Sequence, residues 1–293
     1  MYDIIIVGAG PAGLTAAIYA LRANKKVLIF EAKACGGQIL NAHKVENYPG
    51  IESINGFDFA NTLYEQVKKL GGLFLFETVV RIEDDNTVVT NNGRYNSKAI
   101  ILATGSVNRK LNIDRETDFL GKGVSYCATC DGNFYKNKDV AVVGGGNTAL
   151  TDAIYLSNIA RKVYLIHRND SFRGESKYIE NINGINNIEV IMNVNVSKLI
   201  GEDILSGIEL DNGRIIDINA LFIAVGQSPK NEIFSNVIEL TDKGYIKTED
   251  GVHTSKKGVY VAGDTREKML RQLVTATSDG AIAATTAIKE MEK

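Results

Sequence analysis

The chain has 293 residues, 44% of them hydrophobic, and a formal net charge of -2. That length and apolar content allow two domains with separate cores, and the near balance of charge excludes the basic field that nucleic-acid binding needs. No apolar run is long enough for a signal peptide or a membrane span, so a soluble cytoplasmic protein is expected.

The first element is a buried strand at Ile4-Ile5-Ile6-Val7. It runs into Gly8-Ala9-Gly10-Pro11-Ala12-Gly13, a dinucleotide loop that opens an Ala/Leu/Ile-rich helix. The next strand, Lys26 to Glu31, ends on a carboxylate. An acceptor there suits free ribose hydroxyls and repels a 2′-phosphate, so FAD fits this copy. Alternating strands follow around the hairpin signal Asn91-Asn92-Gly93, and then a buried strand at Ile100 to Gly105.

Cys127-Ala128-Thr129-Cys130-Asp131 separates this copy from a second one. The strand Val140 to Val143 leads into Gly144-Gly145-Gly146-Asn147-Thr148-Ala149 and another helix. The following strand, Lys162 to His167, is succeeded by Arg168 and Arg173. Guanidinium forks at that edge suit a 2′-phosphate, so NADP(H) fits here, against the plainer reading of two surface charges. A turn at Asp211-Asn212-Gly213 and a closing strand from Leu221 to Val225 and Gly226 complete the repeat. A third segment has a short strand at Gly258 to Asp264 and a helix from about Leu273 to Met291. Too small to stand alone, it returns to the first domain. The expected fold is α/β, with two Rossmann-like three-layer dinucleotide-binding domains, the second inserted into the first: residues 1–110 and 238–293 around 111–237.

With only three cysteines, a structural disulfide framework is not expected, and a Cys-x-x-Cys in a reducing compartment is redox or metal chemistry. Zinc needs two more ligands, and Cys35, His43, His167 and His253 are scattered in sequence, so no metal is expected. Cys35 reads as a small packed residue, and His43 and His253 as ordinary surface or core residues. One dithiol and two dinucleotide folds suggest a relay from nicotinamide through flavin to a disulfide.

These residues resemble the low-molecular-weight bacterial thioredoxin reductases over essentially the whole chain. Cys-Ala-Thr-Cys-Asp at 127–131 is the most specific part. Supporting it are Gly36-Gly37-Gln38, Glu46 to Gly50, Ala103-Thr104-Gly105, Gly263-Asp264 and Leu270 to Ala276. The resemblance implies FAD, NADPH, a homodimer, a large rotation between domains, and thioredoxin or a similar protein as partner. It implies that Cys130 takes electrons from the flavin, that Cys127 attacks the partner's disulfide, and that Asp131 carries protons. FAD would be held by Gly8, Gly10, Pro11, Ala12, Gly13, Glu31, Gly37, Gln38, Asn47, Thr104, Gly105, Gly263, Asp264, Arg271, Gln272 and Leu273. NADPH would be held by Gly144, Gly146, Asn147, Thr148, Ala149, His167, Arg168, Arg173, Val225 and Gly226.

Three positions depart from the family pattern. Asn169 stands where an arginine is usual, Thr151 where a glutamate is, and Lys230 where an asparagine is. Losing one charge-assisted hydrogen bond costs roughly 1.5–3 kcal/mol, so weakened NADPH affinity is expected, with Arg168 and Arg173 still favouring NADPH over NADH. The rival readings are a ferredoxin-linked or NADH-dependent relative, a dithiol oxidase, and a non-catalytic flavin-binding redox sensor.

Overall fold

The computed structural model describes residues 1–42 and 44–293, with the side chain of Asn41 left aside; the reading of His43 lies outside the described residues. The chain divides into two compact units, Met1–Val107 with Ser228–Lys293, and Asn108–Gln227.

The first unit begins with β1 (Tyr2–Val7), α1 (Pro11–Arg22) and β2 (Val27–Phe30). It continues through α2 (Gly56–Lys69), β3 (Leu73–Leu75), β4 (Val79–Ile82), β5 (Thr87–Thr90) and β6 (Arg94–Leu102), and leaves at β7 (Val107–Asn108). The sheet order is β3-β2-β1-β6-β5-β4. Ile4, Ile5 and Ile6 are fully buried because β1 is central and parallel to both β2 and β6, so it has no solvent face. Helix α2 starts where the Asn55 side chain accepts from the Asp58 amide, and Lys68 and Lys69 stand in its last turn.

The hairpin expected at Asn91–Gly93 is present. Its turn is held by Thr90, whose hydroxyl accepts from the amides of Asn92 and Gly93 at 3.1 and 2.9 Å. The strand after that turn and the buried strand expected at 100–105 are one element, β6. Its first half pairs antiparallel with β5, and its second half runs parallel to β1.

The second unit contains β8 (Val124–Ser125), α3 (Ala128–Asp131), β9 (Asp139–Val143), α4 (Asn147–Ser157), β10 (Lys162–His167), α5 (Ser176–Asn183) and β11 (Ile188–Met192). It then forms β12 (Val196–Gly201), β13 (Leu205–Leu210), β14 (Ile215–Asp217) and β15 (Ala220–Ile223), leaving at β16 (Gln227–Ser228). Strands β11-β10-β9-β15-β8 form a parallel sheet. One face is covered by α4 and α5 through Ala149, Leu150, Ala153, Leu156 and Ile182. The other lies on the antiparallel sheet β12-β13-β14 through Val196, Leu199, Ile208 and Ile216. Here the hairpin strand and the buried strand stay separate, unlike β6.

Back in the first unit come β17 (Val259–Val261), parallel to β6, and α6 (Leu273–Met291), which packs along α1. The second crossing lies earlier than the expected 237. Residues after Ser228 belong to the first unit because Phe234 and Ile238 share a core with Val79, Ile82 and Ile246.

Candidate active site

Cys127 and Cys130 form a disulfide with their Cα atoms 5.3 Å apart. Cys127 caps a single helical turn, where its carbonyl accepts from the amides of Cys130 and Asp131 at 3.3 and 3.1 Å. The turn packs against α4, and Gly132 makes this possible: a Cβ there would lie 2.9 Å from Leu156 Cδ2. The Ser125 hydroxyl, at the end of β8, donates to Asp131 Oδ2 at 2.6 Å and accepts from the Cys127 amide at 3.0 Å. Ser125 is thus a site residue that sequence reasoning missed; its signal was its place two residues before the first cysteine. Behind it Tyr126 donates to Glu116, and burial first, then that carboxylate, pushes the phenol's pKa up.

In the first unit the loop Gly8–Gly13 joins β1 to α1. Gly8 has φ +105°, and a Cβ there would lie 2.4 Å from Ala103 O, so no side chain fits between loop and sheet. Pro11 opens α1, and Ala12 and Gly13 are buried. At the end of β2, Glu31 accepts from the Ala9 amide through Oε2 and from the Lys33 amide through Oε1, both at 2.9 Å. Gln38 donates to Ser106 O at 3.2 Å, beside Gly37, and Asn47 donates to Gln272 Oε1 at 3.1 Å.

Three distant pieces of chain meet at the end of β6. The hydroxyls of Thr104 and Thr265 lie 2.7 Å apart and both donate to Asn231 Oδ1. Asn231, fully buried, donates to Gly244 O and Thr265 O. Gly105 follows at φ +69°. Gly263 is fixed by the hydrogen bond that its backbone N–H donates to Asp279 Oδ2, and Asp279 in turn binds Arg266 and Lys268. Burial works to raise the Asp279 pKa, but the hydrogen bonds from Arg266 and Lys268 prevail and lower it. Asn231 and Asp279 carried no motif; only tertiary packing makes them part of this region.

Asp264 is different. Its Oδ1 is buried with no hydrogen-bond partner, and burial raises its pKa against the partial opposition of Lys268 and Arg271. An orphaned acceptor beside an open glycine loop fits a ligand that brings a hydroxyl donor, as the ribityl chain of FAD does. Arg271 stacks its guanidinium 4.1 Å from the Tyr245 ring centre. Gln272 and Thr275 form a capping box that starts α6 at Leu273. Burial, followed by the Glu31 charge, lifts the Cys35 thiol to about 11, which disfavours its thiolate near neutral pH.

In the second unit Gly144 repeats the role of Gly8. Its φ is +153°, and a Cβ there would meet Ala224 O at 2.4 Å, just before Val225. Around Gly146 and Gly226 a Cβ would meet no atom within 4 Å, which leaves backbone open to a phosphate. Thr148 and Ala149 lie in the first turn of α4, and Asn147 is tied to Glu175 at 2.7 Å. His167 is buried, stacked on Phe172, with Nε2 on Ser171 O, and its ring closes over Gly145. Its pKa is lowered chiefly by burial, so it shapes the loop as a neutral ring. Arg168 and Arg173 are exposed, with no carboxylate in ion-pair distance among the described residues. This fits an anion beyond β10. Of the departures, Asn169 and Thr151 lie in this unit, whereas Lys230 belongs to the first. Thr151 turns its hydroxyl onto the carbonyls of Asn147 and Thr148.

The model for pyridine nucleotide-disulphide oxidoreductases matches residues 2–280. A thioredoxin reductase of Treponema pallidum is 41% identical over 292 residues, covering 97% of this chain and 95% of the relative. That of Bacillus subtilis is 38% identical over 297 residues, covering 97% and 93%. The crystal structure of thioredoxin reductase from Streptococcus pyogenes superposes with a TM-score of 0.94 at 37% identity, covering 100% of this chain and 98% of that one.

Proposed function

Because the chain belongs to the pyridine nucleotide-disulphide oxidoreductase family, we propose that it works as a thioredoxin reductase, moving electrons from NADPH through FAD to Cys127–Cys130 and on to oxidised thioredoxin. The observation that carries this reading is a Cys-x-x-Cys disulfide with a carboxylate fastened to the same turn, in a chain with two dinucleotide loops. Bound FAD would supply the two-electron carrier that links a hydride donor to a disulfide.

The chain's own residues do the rest. Gly8 to Gly13 admit a pyrophosphate, Glu31 accepts from ribose hydroxyls, and Asp264 accepts from the ribityl chain. Thr104, Gly105, Gln38, Asn47, Arg271 and Gln272 surround the remainder. Arg168 and Arg173 hold the 2′-phosphate of NADPH, and the loop from Gly144 its pyrophosphate. Once the disulfide is reduced, the Cys127 thiolate attacks the partner's disulfide, and the Cys130 thiol passes its proton to Asp131 before closing the internal disulfide. A cytoplasmic homodimer with two domain orientations completes the reading, one serving nicotinamide and the other the disulfide.

Stopped-flow reduction of the FAD-loaded protein tests it. NADPH bleaches the flavin faster than NADH or reduced ferredoxin, and oxidised thioredoxin restores the colour. Faster bleaching by NADH or ferredoxin overturns the donor. Rapid oxygen uptake with a small dithiol and no nucleotide points to an oxidase, and undiminished thioredoxin reduction by Cys130→Ser overturns the relay.

A further inference from the structure

We propose that Ser125 is a positioning residue for proton transfer at the dithiol, holding the Asp131 carboxylate against the cysteine turn through a hydroxyl that is shared with the Cys127 amide. The inference rests on the reading of Cys127–Cys130 as the redox pair. Ser125 is buried on β8, a two-residue parallel strand beside β15, so its backbone belongs to the rigid sheet. Its hydroxyl lies 2.6 Å from Asp131 Oδ2 and 3.4 Å from Cys127 O, the shorter contact being to the carboxylate, and its oxygen receives the Cys127 N–H at 3.0 Å. A hydroxyl-to-carboxylate hydrogen bond of that length is strong and fixes the carboxylate's orientation.

The arrangement divides labour between the two carboxylate oxygens. Oδ2 is committed to Ser125, and among the described residues nothing hydrogen-bonds Oδ1, which leaves Oδ1 to exchange the proton. In the dithiol half-reaction the Cys127 thiolate attacks one sulfur of the partner's disulfide. That S–S bond breaks, and the leaving thiolate takes a proton from solvent. The Cys130 thiol gives its proton to Asp131 Oδ1, and its thiolate attacks Cys127 Sγ. The mixed disulfide breaks, and the second partner thiolate accepts the proton from Asp131. Two electrons leave the dithiol, the partner gains them with two protons, and Asp131 ends as it began.

Other titratable groups on the elements packed here are few. Tyr135 follows α3, and Asp131 is among the causes that raise its pKa, after burial. Asp152 lies on α4, the helix that carries the turn. Tyr126 and Glu116 bond each other behind Ser125. The only side-chain donor to Asp131 among the described residues is the Ser125 hydroxyl.

The test compares wild type, Ser125→Ala and Ser125→Thr as FAD-loaded holoenzymes reducing oxidised thioredoxin across pH 5–9. Removing the hydroxyl moves the acid limb of the kcat profile up by about half to one pH unit and lowers kcat at pH 6 about threefold to tenfold, with KM for thioredoxin unchanged. Ser125→Thr, which keeps the donor, follows wild type. In Asp131→Asn, adding Ser125→Ala has no further effect, because Ser125 acts through that carboxylate. A profile superimposable on wild type, a fall in kcat without a change of profile, or full additivity with Asp131→Asn overturns the role. Ser125→Gly removes the same hydroxyl and replaces alanine if that variant does not fold. Should Cys130→Ser leave turnover intact, the redox reading itself has failed, an outcome distinct from a silent Ser125→Ala.

Discussion

Arg168 and Arg173 stand beyond β10 with no carboxylate in ion-pair distance among the described residues. The Arg173 amide donates to Gly145 O, so these two guanidiniums stand at the mouth of a glycine loop, where they give a local field suited to phosphate. Arg173→Ala should therefore raise KM for NADPH about tenfold to a hundredfold while KM for NADH barely moves, since a hydrogen bond to a charged group is worth roughly 1.5–3 kcal/mol. Equal losses for both nucleotides sink the 2′-phosphate assignment. Asp264 makes the matching case for the first unit. Its Oδ1 is buried and unpaired, so the free protein carries a desolvation cost that a bound hydroxyl relieves. Asp264→Leu removes that acceptor, and the variant should purify with little flavin; visible absorbance against protein concentration reads the outcome. The positions of the glycine loops, of Glu31 at the end of a strand and of the cysteine pair were legible because they depend on local backbone or on fixed spacing. Asn231 was not, because nothing in its neighbourhood marks Thr104, 127 residues earlier, as a partner, and Ser125, although only two residues before Cys127, has no motif that shows its hydroxyl turned onto Asp131.

At the level of elements, one close packing and one desolvated carboxyl bear on stability. Gly280 lets α6 approach α1 so tightly that a Cβ would lie 2.1 Å from Ala12 O. Since the obstacle is backbone, Gly280→Ala should cost about 1–3 kcal/mol, read as a lower urea midpoint with unchanged slope. Helix α4 carries Asp152, whose carboxyl is raised by burial from 3.8 to about 7. The folded state then holds a proton that the unfolded state releases, so stability falls as pH rises from about 4 to 7 and levels off above. At about 1.4 kcal/mol per unit, the total is on the order of a few kcal/mol. Asp152→Asn should abolish this part of the slope, as urea midpoints at pH 5 and 8 would show; a slope equal to wild type contradicts the buried acid. The helix α6 over 273–291 and the strand β10 over 162–167 were readable from pattern alone. Strand β6 was not read as one element, because its two halves face different partners and so change their hydrophobic rhythm midway.

Across the whole molecule, two units of similar design take different ligands in the proposed reading. Hydrogen exchange can locate them. Added FAD should protect the amides of Gly8 to Gly13 and Gly263 to Thr265, whereas NADPH should protect those of Gly144 to Ala149 and the segment after β10. Exchange in the reverse pattern would reassign the units. A ligand present at a thousand times its Kd adds about 4 kcal/mol, enough for a clear rise in Tm on adding FAD to the apoprotein.

Sequence alone determined the two buried strand-loop-helix starts, the acidic end of one second strand and the basic end of the other, and the redox spacing of Cys127 and Cys130. Each is a matter of residues adjacent in the chain, where periodicity and backbone freedom decide the outcome. Only the tertiary structure decided where the second crossing falls, which oxygen of Asp131 is left open, and that Asp264 has an unpaired acceptor. Those depend on which side chains the folded backbone brings together, and no local pattern encodes which side chain will satisfy a buried polar group.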